Sequence, residues 1–169
     1  MKNLFIPAFI ALLLFSRKSQ ALSYSEFWSR PDVINGLKYK PFFEHTEKKF
    51  GIPQDILAKM GWQESRFRDD IVTGKVLGKS NESGIMQITP RWHPGVQYFD
   101  PQSAIDYAGK YLKENYDKFK DWKLAVMAYN WGPGNVQKWI SPGPIGFDRD
   151  PSVVPAVTKN YVTAVFGRF

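Results

Sequence analysis

A mainly α-helical domain with a small β-like insertion is the fold class that this sequence predicts, and three observations lead there. Apolar residues recur at helical spacing in several separate stretches, prolines stand where first helical turns would begin, and glycines stand where helices would stop. The exception is residues 69–84, a polar stretch carrying Gly74, Gly78 and Gly84, where "IVTGKVLG" reads as one or two short strands between turns. With 169 residues, 43% of them apolar and 16% aromatic, the chain can bury one real core and is too short for two comfortable ones.

The elements follow in order. Residues 1–21 read as an export signal: Lys2, then an apolar run over 4–15, then Ser19-Gln20-Ala21 as a small-x-small cleavage site. The run falls short of the ~20 residues that cross a bilayer as a helix. Arg17 and Lys18 behind it suit an uncleaved, membrane-attached N-terminus, and that alternative stays open. Residues 22–40 have weak periodicity and read as a lead-in to a domain at 41–169. Pro41 opens a helix, "PFFEHTEKKF", that Gly51 closes. Pro53 opens a second, with Asp55 near its positive end. "SGIMQITP" ends at Pro90, and Pro101 opens a third helix whose stripe is Ala104, Ile105, Ala108 and Leu112. Residues 124–130 are short, apolar and helical; Gly132-Pro133-Gly134 interrupts before "NVQKWI" resumes. Residues 141–152, with Pro142, Gly143, Pro144, Gly146 and Pro151, form a loop, and Pro155 starts a last helix to about Phe166.

Composition removes several function classes. Without cysteine there is no disulfide framework and no thiolate metal site. His45 and His93 stand alone without an HExxH-like pairing, so no metal and no cofactor is expected. The net charge of +7 falls to +4 if residues 1–21 are removed, since Lys2, Arg17 and Lys18 leave and no acid does. That surface suits a polyanion, and export points away from nucleic acid toward anionic lipid or a carboxylate-bearing wall.

Chemistry enters at residues 56–67, "ILAKMGWQESRF". Ile56, Leu57 and Met60 form a helical stripe whose next position is Glu64. Carboxylates are rarely aimed at a core without a reason. Three further stretches stand out: "GIMQI" at 84–88, "AYNWGPG" at 128–134, and Tyr161-Val162 in the last helix. Each alone has an ordinary structural explanation, such as a core methionine or a core tyrosine.

Taken in this order and spacing, they resemble the lytic transglycosylase domain of the soluble, goose-lysozyme-like superfamily, over roughly residues 50–162. "AYNWGPGNV" is the most specific part of the likeness and Glu64-Ser65 the least; "DPQSAIDYAGKYL" adds a matching helix. Three positions depart from the pattern: Ile85 stands for a usual leucine, Trp131 for a small residue, and Val157 for a usual glutamate.

The resemblance implies a lysozyme-like fold with a substrate groove and cleavage of the β-1,4 bond between N-acetylmuramic acid and N-acetylglucosamine in peptidoglycan. Glu64 would be the acid and then the base, closing a 1,6-anhydro ring on the muramoyl 6-hydroxyl, with the substrate's acetamido group replacing a second carboxylate. Asp69, Asp70, Glu82 and Asp100 have no catalytic place in that pattern. Ser65 would orient Glu64 or a peptide stem, Met86 and Gln87 would line the groove, and Tyr129, Asn130 and Tyr161 would bring polar tips to the carboxyl. Trp131 would offer a sugar-stacking face; Trp92 and Trp139 are expected in the core. Glycan strands are the expected partner, in an exported, periplasmic or envelope setting that includes secretion, conjugation or phage assemblies. A hydrolytic muramidase and a non-catalytic wall-binding protein are the rival expectations.

Overall fold

Prolines and glycines set the helix ends almost everywhere the sequence puts them. The computed structural model describes residues 24–144 and 146–169, with side chains from 26 on. The expected export signal at 1–21 lies outside the described residues. Helix α1, Tyr24–Trp28, leads into a 3-10 helix, Pro31–Tyr39, and then α2, Lys40–Phe50, which Gly51 closes at φ +64. Helix α3, Ile56–Ser65, is followed by the single turn α4, Asp69–Val72. Helix α5, Pro101–Phe119, begins at Asp100, whose carboxylate accepts from Ser103 N at 2.9 Å. Helices α6, Trp122–Trp131, and α7, Pro133–Ile140, meet at Gly132; α8, Ala156–Phe166, closes the chain.

The core is helix on helix. Helix α5 packs on α2 and α6, and α8 packs on both α6 and α3. The predicted stripe of α5 is the buried one: Ala104, Ile105, Ala108 and Leu112 are fully enclosed. Burying Ile105 and Leu112 contributes roughly 1.5–3 kcal/mol each. Helix α3 lies close over Phe43 of α2 because Gly61 has no side chain there; a Cβ would stand 2.6 Å from the Phe43 ring. The contact between α3 and α8 matters most for the site, since it joins Glu64 to a residue 97 positions later.

Two expectations are corrected. The strands expected in "IVTGKVLG" are not present: Ile71 and Val72 lie in α4, Val76 and Leu77 are exposed, and an isolated antiparallel bridge joins Ser83 to Ile88. Asp69 and Asp70 favour the start of a helix, and no neighbouring strand is there to satisfy an extended backbone. Residues 24–40 are also more than a lead-in, because Phe27, Trp28, Val33 and Tyr39 are buried in the same core as α2. Phe67 stacks on Trp28 with ring centres 5.9 Å apart. Aromatic burial holds this segment, and a helical-period search does not register it. Among the described residues no helix is long and apolar enough to cross a membrane.

Candidate active site

Helix α3 delivers Glu64 in its last turn. The helix ends one residue later because the Ser65 hydroxyl donates to the Gly61 carbonyl at 3.1 Å and accepts from Phe67 N at 3.1 Å. Arg66 and Phe67 both take the left-handed conformation, φ +52, and the chain turns so that Phe67 enters the core. Glu64 keeps partial solvent access while protein crowds its carboxyl. Tyr161 of α8 donates its hydroxyl to Glu64 Oε1 at 2.6 Å.

Opposed influences set the charge of that carboxyl. Burial disfavours the ionised form, and the hydrogen bond from Tyr161 favours it; the negative charge of Glu82 adds to burial. Burial wins, and the Glu64 carboxyl is pushed up to about 7. Burial, followed by the charge of Glu64, holds the hydroxyls of Tyr129 and Tyr161 well above their usual value of 10. Both therefore remain donors at neutral pH. The other acidic candidates are engaged elsewhere: Asp69 with Lys38 at 2.6 Å, Asp70 with Arg68 at 2.6 Å, and Asp100 in the α5 cap.

The turn at residues 84–87 is linked to this place through Tyr129. Gly84 has φ +71, and a Cβ on it would stand 1.8 Å from the Tyr98 carbonyl oxygen, so only glycine fits. Gln87 is left-handed at φ +47 and its amide donates to the Gly84 carbonyl at 3.0 Å. Tyr129 of α6 donates to the Met86 carbonyl at 3.0 Å, tying this turn to the helix bundle. Asn130 accepts from the Thr158 hydroxyl at 2.8 Å, a second link between α6 and α8.

Glu64, Gln87, Tyr129, Asn130 and Tyr161 thus retain solvent-facing or half-buried positions or reach Glu64 directly. Ser65 and Met86, expected to orient Glu64 or a peptide stem and to line the groove, are both 0% exposed. Ser65 is consumed by the helix end, and Met86 packs in the core and offers only its carbonyl, to Tyr129. Among the tryptophans, Trp139 is buried and donates to the Asp150 carbonyl at 2.7 Å, Trp131 is half-buried, and Trp92, expected in the core, is 69% exposed.

The sequence reading missed Glu47. It is 3% exposed and accepts from the backbone N–H groups of Asp55, Leu57 and Ala58 at 3.1, 3.0 and 3.2 Å, which fastens the first turn of α3. Its signal was present: Glu47 stands four residues after Phe43, on the apolar face of its own helix, as Glu64 does on α3.

Residues 41–143 match the family described as Transglycosylase SLT domain. The chain is 28% identical over 136 residues to the soluble lytic murein transglycosylase of Escherichia coli (strain K12), covering 72% of this chain and 20% of that protein. The relative of that name from Salmonella typhimurium matches with the same figures. Membrane-bound lytic murein transglycosylase F of Stutzerimonas stutzeri (strain A1501) is also 28% identical, over 111 residues, covering 59% of this chain and 22% of that protein. The chain spans about a fifth of the length of these curated relatives. Tyr161 lies beyond the matched residues, yet α8 completes the surroundings of Glu64. The match takes in more than half of the chain, together with the helix that carries Glu64 and the turn that faces it, and the chain belongs to the transglycosylase SLT domain family.

Proposed function

We propose that this chain is a peptidoglycan lytic transglycosylase, cutting the β-1,4 bond between N-acetylmuramic acid and N-acetylglucosamine and leaving 1,6-anhydromuramoyl ends. The observation that carries the reading is Glu64: a carboxyl that holds its proton up to about 7, retains solvent access and is gripped by one tyrosine. The names of the relatives support the same substrate class.

The chemistry follows from those properties. Protonated Glu64 gives its proton to the glycosidic oxygen as the bond to the muramoyl C1 breaks, and the bonding pair leaves with the N-acetylglucosamine 4-oxygen. The neighbouring acetamido oxygen stabilises the cationic C1, which removes the need for a second carboxylate. Glu64, now ionised, accepts the proton of the muramoyl 6-hydroxyl while that oxygen bonds to C1. The Tyr161 hydrogen bond favours the ionised form, so it strengthens between the two steps. Gln87, Tyr129 and Asn130 serve as polar contacts for sugar or as supports for the turn that carries them.

Export to the periplasm or envelope belongs to the same proposal and rests on residues 1–21, cleaved or retained as an anchor. A secretion, conjugation or phage assembly is the setting in which a small exported domain of this activity would open the wall. Mass analysis of purified peptidoglycan after digestion tests the reaction. Anhydromuramoyl products, one water lighter than hydrolytic ones, are expected. Reducing muramic ends alone would make the chain a muramidase, and an undigested wall would make it a binding protein.

A further inference from the structure

The 3-10 helix at Pro31–Tyr39 sorts its residues by threes. With three residues per turn, side chains three apart stand one above another, so the helix has three separate edges. One edge, Val33, Gly36 and Tyr39, is buried. A Cβ on Gly36 would stand 2.1 Å from the Phe67 ring, so this edge is pressed onto the core and the rotation of the helix is fixed. The second edge is Asp32, Asn35 and Lys38. Its charges are engaged by neighbours: Arg30 Nε donates to Asp32 at 3.0 Å, and Lys38 pairs with Asp69 at 2.6 Å. The third edge is Pro31, Ile34 and Leu37. It is apolar and it faces outward: Ile34 is 63% exposed and Leu37 43%.

The course of the chain decides what covers this edge. Helix α1 packs on the 3-10 helix. Six residues take the chain from Lys18 to Tyr24, about 20 Å when fully extended. Ahead of Arg17 and Lys18 stands the run at 4–15, twelve apolar residues in succession. Three occupants compete for the edge. The run itself has more apolar surface than three side chains can cover, since the edge is only about 12 Å long at roughly 2.0 Å per residue. A second copy would match two narrow strips, far short of the roughly 800 Å2 per partner of a stable pair. A lipid surface takes in the whole run and the edge together. Anionic headgroups suit Arg17, Lys18 and a chain whose net charge is +4 beyond residue 21. Lys40 follows Leu37 by the same step of three and brings a cation to the end of the apolar line.

We infer that the edge of Pro31, Ile34 and Leu37 rests on an anionic lipid surface, as a second attachment beside the N-terminal run. A single attachment leaves the folded domain free to swing on its tether, whereas two set its orientation to the membrane. The inference rests on the retained form of the N-terminus and is independent of the glycan chemistry.

The chain has no cysteine, so an environment-sensitive dye can be placed at one chosen position. Leu37→Cys and, as a control at an exposed position of α5, Lys118→Cys are labelled in the full chain. Each is mixed with vesicles of phosphatidylcholine, with and without phosphatidylglycerol. On vesicles containing phosphatidylglycerol, the dye at 37 is expected to shift to the blue and to be quenched by nitroxide-bearing lipid, and the dye at 118 to do neither. Ile34→Ser is expected to weaken binding to those vesicles about fivefold to tenfold, the effect of withdrawing one aliphatic side chain from lipid, with the melting temperature unchanged. A dye at 37 that stays in water on vesicle-bound chain would overturn the inference. So would a blue shift without vesicles: one that grows with protein concentration would assign the edge to a second copy, and one that does not would assign it to the N-terminal run. A chain that binds no vesicle would sink the retained anchor and the inference with it. Wall digestion, measured on the same sample, reports separately on the glycan-cutting reading.

Discussion

A carboxyl stands at each end of helix α3, Glu47 of α2 against its first turn and Glu64 in its last, and their surroundings are opposite in kind. Burial pushes both Glu47 and Glu64 up to about 7. At the start of the helix, Glu47 is closed off from water and satisfied by three backbone N–H groups. At the far end, Glu64 has one tyrosine hydroxyl and partial access to solvent. A raised pKa therefore does not identify an acid catalyst by itself. What separates the two is engagement: Glu47 accepts from three backbone N–H groups, while Glu64 accepts from one hydroxyl and keeps partial access to solvent.

That contrast can be broken at either end. Glu64→Gln is expected to lower the rate of anhydromuramoyl formation by about 10²–10⁴-fold, the range for a positioned general acid, with thermal stability held or improved. A comparable loss of rate from Glu47→Gln, in a protein that melts like the original, would erase the distinction. Glu47→Ala should instead act on the fold, costing about 3 kcal/mol in urea unfolding because three buried donors lose their partner.

The two carboxyls should also share a pH signature. An unfolded glutamate releases its proton near 4.5, whereas folded Glu47 and Glu64 hold theirs to about 7. Asp55, which burial pushes up to about 6, behaves in the same sense. Between these values the folded chain binds more protons than the unfolded one. For the two glutamates this contribution is complete below about 4.5 and is lost as pH rises through about 7; for Asp55 it is complete below about 3.8 and lost as pH rises through about 6. The free energy of unfolding should fall across that window, by at most roughly 3 kcal/mol for each glutamate, and Glu47→Gln should flatten the slope. The smallest effect belongs to Tyr161→Phe. Without the hydroxyl that favours ionisation, the Glu64 pKa should climb above 7 and carry the alkaline limb of the activity profile with it, at a cost of about tenfold or less in rate. An alkaline limb that stays in place would remove Tyr161 from the account.

Much of this was legible beforehand, for identifiable reasons. Pro41, Pro101, Gly51 and Gly132 act through their own backbones, so the sequence announces the helix ends they make. Glu64 was legible because a stripe of Ile56, Leu57 and Met60 points to it. The partnership with Tyr161 was not a local property; 97 residues separate the two, and the likeness to a family suggested it where periodicity could not. The burial of Ser65 and Met86 was not legible, because a motif position says nothing of which way a side chain faces; the α3 end and the core hold them. Glu47 escaped because its bonds cross to the next helix.

The pinch at Gly84 sets how freely this molecule can vary. Ile85, where the family resemblance has leucine, is fully buried, and a core tolerates a residue of equal volume. Position 84 has no such latitude: the Tyr98 carbonyl occupies the space that any side chain would need. Tyr98 in turn donates its hydroxyl to the His93 carbonyl, so a bulkier residue at 84 would disturb that bond as well. Redesign of this turn has freedom at the buried position next to it and none at that hydrogen atom.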